Sequence, residues 1–411
     1  MTTVVLIGTM DTKGSEYAWL AEHVRAHGAE VVTIDVGPFS EARADVSPAE
    51  VAAAAGGDLQ QLRDAGDRGA AMDAMADGAT ATLIRMHEQG EVDGVLAVGG
   101  SGGSSVASRA MRALPIGVPK LLVSTMASGD VSPYVGESDV TLMYSVVDVA
   151  GINSISEQVF DNAAAAIAAM AAAHHARRSR SGAAHRPLVG LSMFGLTTPA
   201  VDEARAELVA LGYEPLVFHA TGAGGRALEK LAGGRQLVGV LDLTTTELAD
   251  DLVGGVLTAG PDRLTAAGRA GLPQVVSLGA LDMVNFGPRE HVPAQFDDRD
   301  FVVHNATVTL MRTTREENAE LGRRIGAKLA DARGPVNMII PRGGVSGIDV
   351  EGAPFHDSDA DTALFDAVRS TLAGSHVDVA EDDRHINDQG FGRDAARRLH
   401  ALISAQDHNE E

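Results

Sequence analysis

Three short stretches of glycine, serine and threonine, each directly behind an apolar run, carry the residue types that hold a phosphate. Gly8-Thr9-Met10-Asp11-Thr12-Lys13-Gly14-Ser15-Glu16 follows Val4–Ile7. Gly8 allows a sharp turn, and Thr9 and Thr12 bring hydroxyls and backbone N–H groups. Lys13 brings a point charge for phosphate, and Asp11 brings a ligand for Mg2+. Ser15 with Glu16 also has the form of an ordinary helix start, and the glycine spacing of a Walker loop is absent. The second stretch, Gly99-Gly100-Ser101-Gly102-Gly103-Ser104-Ser105 behind Leu96-Ala97-Val98, has four glycines in five residues. Backbone there can approach an anion closely, and a following helix N-terminus adds positive potential. The third, Ser124-Thr125-Met126-Ala127-Ser128-Gly129-Asp130, is weak alone and completes a pocket only together with the other two.

The second half places different side chains behind its apolar runs. Phe218-His219-Ala220-Thr221-Gly222-Ala223-Gly224-Gly225 has the form of another anion turn, with His219 as an acid–base group. Leu241-Asp242-Leu243-Thr244-Thr245-Thr246-Glu247 offers two acids, or else Thr244 or Thr245 caps a helix with Glu247 nearby. Asp282 lies in Gly279–Gly287, and Arg342, suited to a carboxylate or phosphate, opens a glycine turn at 341–347. In His385-Ile386-Asn387-Asp388, either Asn387 or Asp388 caps the last helix. His219, Asp242, Asp282 and His304 are metal-ligating types whose spacing decides nothing, and buried structural roles fit them equally. His-Glu-x-x-His pairs are absent.

These turns need parallel strands behind them. Val4–Ile7, Val31–Val36, Val95–Val98 and Leu121–Ser124 predict strands alternating with helices at Ser15–His27 and, Ala-rich, at Ser156–Ala173. After the polar run His174 to Gly182 the alternation restarts. Strands are expected at Leu188–Phe194, Pro215–Phe218, Leu237–Leu241, Gln274–Leu278 and Val336–Ile340, and helices at Val201–Leu211 and Thr314–Arg333. Residues 279–301 predict a long irregular loop. The expected fold is α/β, with two tandem Rossmann-like domains whose mainly parallel sheets are covered by helices on both faces. Residues 1–176 form the first domain, 177–186 a linker, and 187–411 the second.

A net charge of −23 argues against nucleic acid as the main partner, and a phosphate must then be held by backbone N–H groups, a helix end or a metal. The absence of cysteine excludes disulfides, thiolate nucleophiles and Cys-ligated metals. The start of the chain reads as a strand with no signal peptide, and the apolar run Ala163–Ala173 is too short to span a bilayer. A cytoplasmic protein without membrane contact is expected.

Gly8–Lys13, Gly99–Ser104, Phe218–Gly222, Leu241–Glu247, Gly279–Gly287 and Leu310–Thr314, in that order, resemble the Tm-one-like ATP-binding family over nearly the whole chain. The resemblance implies an ATP-binding first domain with a second α/β domain behind it. It assigns nucleotide contacts to Gly8, Thr9, Asp11, Thr12 and Lys13, to Gly99, Gly100, Ser101, Gly102, Gly103 and Ser104, and to Thr125, Ser128 and Gly129. The family name describes a ligand and not a reaction.

The expected activity is an ATP-dependent enzyme, by phosphoryl transfer or another ATP-driven reaction, on a small oxygen-rich metabolite. Lys13 would steady phosphate charge and Asp11 would hold Mg2+. His219, Asp242, Glu247, Asp282 and Arg342 would serve the substrate from the second domain. The alternative is a non-catalytic nucleotide sensor. A homo-oligomer is expected in either case.

Overall fold

The short apolar runs pair as parallel strands in two separate sheets, five strands in the first half and six in the second, each covered by helices. The computed structural model describes residues 2–179 and 186–410, and the chain divides into two units, 1–184 and 185–411.

In the first unit the elements run β1 (Thr3–Gly8), α1 (Met10–Ala26), β2 (Glu30–Asp35), α2 (Pro48–Ala54), α3 (Leu59–Asp64), α4 (Arg68–Glu88), β3 (Gly94–Gly99), α5 (Ser101–Ala113), β4 (Lys120–Ser124), α6 (Ser132–Val135), β5 (Thr141–Tyr144) and α7 (Ser154–Ser179). Val4 and Leu6 pack with Leu20, Val24, Phe160 and Ile167 of α1 and α7. Val5 and Ile7 point the other way, into Met75, Leu83 and Val106 of α4 and α5. A strand buried on both faces must be apolar throughout, which is why these runs show no alternation. The sheet order is β2-β1-β3-β4-β5, all parallel. This doubly wound order reverses between β1 and β3, and a crevice opens at such a reversal beyond the carboxyl ends of the strands.

Two of the expected boundaries that move bear on the site and the linker. α1 begins at Met10 rather than Ser15, because the Met10 N–H finds a tertiary acceptor, Asp35 Oδ1 at the end of β2, at 3.0 Å. Lys13 is the residue that leaves helical geometry, at φ −130°. α7 runs on to Ser179, so Arg177, Arg178 and Ser179 of the expected linker form its last turn, where basic residues favour the helix dipole. Residues 180–185 of that linker lie outside the described residues.

The second unit runs β6 (Leu188–Met193), α8 (Thr198–Ala210), β7 (Glu214–His219), α9 (Ala223–Gly233), β8 (Gly239–Thr244), α10 (Glu247–Val253), α11 (Ala266–Ala270), β9 (Gln274–Gly279), β10 (Met283–Phe286), β11 (Phe301–Asn305), β12 (Val308–Arg312), α12 (Arg315–Ala330), β13 (Val336–Pro341), α13 (Ser358–Leu372), β14 (Asp378–Asp382) and α14 (Phe391–Glu410). Its main sheet is parallel in the order β14-β13-β9-β8-β6-β7. The expected irregular loop at 279–301 instead contains β10, which joins an antiparallel sheet in the order β10-β12-β11. All four β10 residues are buried, so no alternation marks the strand, and its partner β12 begins over twenty residues later. Among the described residues, no helix is long and apolar enough to cross a membrane.

Candidate functional site

The β1–α1 and β3–α5 junctions flank the reversal point of the first sheet and share a cavity of about 190 Å3. Thr9, Asp11, Thr12 and Lys13 line it from one junction and Gly99 to Gly103 from the other. Gly100 is the N-cap of α5 and supplies no side chain to it, which leaves the first-turn amides of that helix without a side-chain acceptor. None of Gly99 to Gly103 has a positive φ, so what they provide is access. A Cβ at Gly103 would stand 3.8 Å from Thr9 Oγ1, and one at Gly100 would stand 3.8 Å from Thr125 Oγ1. Arg68, exposed at the start of α4, adds a positive charge that the spacing of the motifs does not reveal.

Several expected contacts have other occupations. Gly8 is needed for room: a Cβ there would overlap the Tyr17 ring at 2.0 Å. The Tyr17 hydroxyl donates to Ile7 O at 2.6 Å and accepts from Val98 N–H at 2.9 Å, which ties β1 to β3 where the crevice opens. Ser104 is buried and bonded to Ser124, so its hydroxyl belongs to the frame. Thr125, Ser128 and Gly129 are not among the residues lining the cavity. Lys13 Nζ donates to the Val149 carbonyl, and the Asp11 carboxylate lies over Gly37, where a Cβ would come within 2.7 Å of it. Behind it, burial and, less strongly, the Asp11 charge push the Asp35 carboxyl up.

In the second unit Asp242 and Glu247 meet on one guanidinium. Arg263 is wholly buried, donates from Nη2 to Asp242 Oδ1 at 2.7 Å, and donates from Nε to Glu247 Oε2 at 2.7 Å. Glu247 Oε1 also accepts from the amides of Gly222 and Gly225, and burial pushes its carboxyl up. A Cβ at Gly225 would sit 2.0 Å from that carboxylate. The helix-cap alternative for Thr244 and Thr245 is not met. Thr246 is the N-cap of α10 without a side-chain capping bond, while Thr244 bonds Thr197 and Thr245 bonds Ser277 O. Asn387 and Asp388 likewise do not cap α14, and Asp388 accepts from His385 N.

His219 is exposed at the end of β7, its ring 5.7 Å from Phe194. Arg342 follows β13, four strand spacings away across the sheet, which is roughly 19 Å. One rim therefore carries two separate groups. His304 lies exposed on β11, and His219, Asp242, Asp282 and His304 do not converge.

Around Asp282 the fold gathers residues that motif spacing passes over. The turn after β9 places Ala280 at φ 58° with its N–H on Val345 O, and Asp282 behind it is fully buried. Ser346 donates to Asp282 Oδ2 at 2.7 Å, and Val345 N–H donates to Asp349 Oδ2 at 2.8 Å. Arg312, at the end of β12, donates to Asp361 Oδ1 at 2.8 Å and through Nε to Phe355 O. Burial first, and then the Asp349 charge, push Asp282 up to about 7 and Asp361 up to about 8. A cavity of about 260 Å3 beside them is lined by Arg342, Gly343, Gly344, His356, Ser358 and Asp361, among others. The only local signal was acid crowded around a histidine in His356-Asp357-Ser358-Asp359-Ala360-Asp361, behind a Gly-Gly turn.

Asp250 gives a pH test of this packing. It is fully buried in α10, accepts from Asn285 N–H and Nδ2, and burial pushes it up to about 7. The folded state thus holds a proton that the unfolded state has released, and stability falls as pH rises from about 4 to 7. Asp250→Asn should leave the melting temperature nearly unchanged at pH 5 and raise it at pH 8, since Asn285 Oδ1 has no partner and can accept from the new amide once its own amide turns. Thermal scans at both pH values check this, and equal shifts would contradict it.

Comparison with known proteins follows the same two units. Residues 2–176 match the N-terminal domain, and residues 186–403 the C-terminal domain, of an uncharacterised protein family, UPF0261. A UPF0261 protein of Clostridium tetani is 47% identical over 398 residues, covering 96% of this chain and 98% of that protein. Another, from Rhizobium meliloti, is 47% identical over 399 residues, with 96% and 98% covered. The ToMV resistance protein Tm-1(GCR237) of Solanum lycopersicum is 40% identical over 407 residues, covering 94% of this chain and 54% of that protein. The chain thus spans about half of the tomato protein. With both units matched and relatives aligned nearly end to end, the chain belongs to the UPF0261 family, and the tomato protein is its homologue.

Proposed function

We propose that the first unit binds ATP with Mg2+ at the crevice between β1 and β3, and that the chain is a cytoplasmic ATP-dependent enzyme acting on a small oxygen-rich metabolite. The observation that carries this is the cavity where Gly99 to Gly103, at the uncapped start of α5, face Thr9, Thr12 and Lys13. An anion in it would meet helix-end amides, hydroxyls and two cationic side chains, Lys13 and Arg68, which offsets the −23 net charge locally. Lys13 keeps two N–H donors beyond the one given to Val149. Asp11, which lines the cavity, would hold Mg2+, whose chemistry would be to neutralise phosphate charge.

The cavity matches phosphates more than a whole nucleotide. A second cleft of about 360 Å3 shares Met72 and Gly102 with it and continues past Val106 and Tyr134, an apolar wall suited to a base or ribose. Asp242 and Glu247 are assigned here to holding Arg263, and substrate chemistry to the Asp282 and Arg342 side of the second sheet. Lys13→Ala tests the phosphate end. Calorimetry should show ATP binding weakened about tenfold, the scale of one charged hydrogen bond, with adenosine binding unchanged. Equal ATP affinity in variant and parent would overturn the role of this cavity.

A further inference from the structure

We infer that the second unit carries a divalent transition-metal site formed by Asp349, His356 and Asp361, independent of nucleotide binding by the first. One ligand atom from each, a ring nitrogen and two carboxylate oxygens, lie within 4.8 Å of one another. Ligands on a single ion with bonds of about 2.1 Å stand roughly 3–4 Å apart, so the three need only a small contraction.

Two further observations point to a cation. The first is an orphaned oxygen: Asp349 is wholly buried, and its Oδ1 accepts no hydrogen bond. Arg312 Nη2 and His356 Nδ1 stand 3.9 and 4.0 Å from it, beyond hydrogen-bond reach. Asp282 Oδ1, also wholly buried, is orphaned as well. A buried carboxylate oxygen without a donor is costly, and a bound cation removes that cost.

The second is charge. Three buried carboxylates, Asp282, Asp349 and Asp361, lie around one guanidinium, Arg312. One divalent ion would bring the ionised sum to zero. Mixed imidazole and carboxylate ligands suit Mn2+, Zn2+ or Fe2+ better than Mg2+, which keeps to oxygen.

The site has an open side. His356 is 39% exposed, and both it and Asp361 line the 260 Å3 cavity beneath Gly343 and Gly344. Three protein ligands with an accessible face describe a metal that still takes water or a substrate oxygen. The class of ligand this favours is a small molecule with a carboxylate or adjacent hydroxyls, with Arg342 on the rim.

The test uses the full chain, stripped with a chelator and dialysed without nucleotide against micromolar Mn2+ and, separately, Zn2+. Metal analysis should find about one ion per chain. His356→Ala removes a ligand whose side chain is 39% exposed, and the variant, confirmed folded by circular dichroism, should weaken binding about a hundredfold. Asp349→Asn, confirmed folded by circular dichroism, should do the same. Substoichiometric metal in the parent chain, or the same affinity in His356→Ala as in the parent, would overturn the site. Either result leaves the ATP proposal to stand or fall on its own titration.

Discussion

Replacing Arg263 with alanine should destabilise the second unit by about 3–5 kcal/mol, the range for breaking a buried ion pair. The guanidinium is wholly buried and bonded to Asp242 and Glu247, with Glu229 at 3.2 Å. Its loss strands two carboxylates that are themselves buried to 1% and 0% exposure. For a unit of this size each kcal/mol shifts the melting temperature by about 2–4 °C, so a fall of roughly 6–20 °C is expected in a thermal scan. Carboxylates left without their cation are raised in the folded state, so the damage should grow as pH rises and shrink towards pH 4. Adding Asp242→Asn and Glu247→Gln to Arg263→Met should recover much of the loss, because the two fully buried acids then carry no stranded charge. A variant that melts with the parent would mean that the two acids are not held by Arg263 and are available for other work.

Gly103→Val should weaken ATP binding by about a hundredfold or more while the protein keeps its melting temperature. Gly103 lies in the first turn of α5 and has helical space around it, the nearest atom to an added Cβ being Thr9 Oγ1 at 3.8 Å. The two further methyl groups of valine then enter the cavity rather than the core. They block approach of an anion to two or more amides, each charged bond being worth about 1.5–3 kcal/mol. Gly99 would be a poor choice for the same test. A Cβ there stands 3.4 Å from the backbone of Gly103 and Ser104, so the variant would confuse folding with binding. Calorimetry on parent and variant decides the matter, and unchanged affinity would make the loop a connector.

The parallel strands were legible because both their faces are buried, so that Val4–Ile7 and Val95–Val98 read as unbroken apolar runs. The place of the glycine loop was legible for a related reason, since glycines directly behind a buried apolar run mark a strand-to-helix junction. The antiparallel sheet of β10, β11 and β12 was not, since β10 pairs with a strand beyond local reach. The acids of the second unit show the limit most plainly. Asp242 and Glu247 stood out by position at a strand end, yet the partner that claims them, Arg263, lies sixteen residues beyond Glu247 in a stretch with no motif. Asp349 and Asp361 drew no notice, because their proximity depends on the 341–349 turn closing over Asp282.

The central proposal, a nucleotide phosphate held by the first unit, is tested most directly by native mass spectrometry of the full chain after incubation with Mg2+ and ATP. One retained ATP per chain is expected in the parent, with Gly103→Val retaining none. A parent chain that emerges at its bare mass of 42.5 kDa per chain, with no heat on ATP titration, would contradict it.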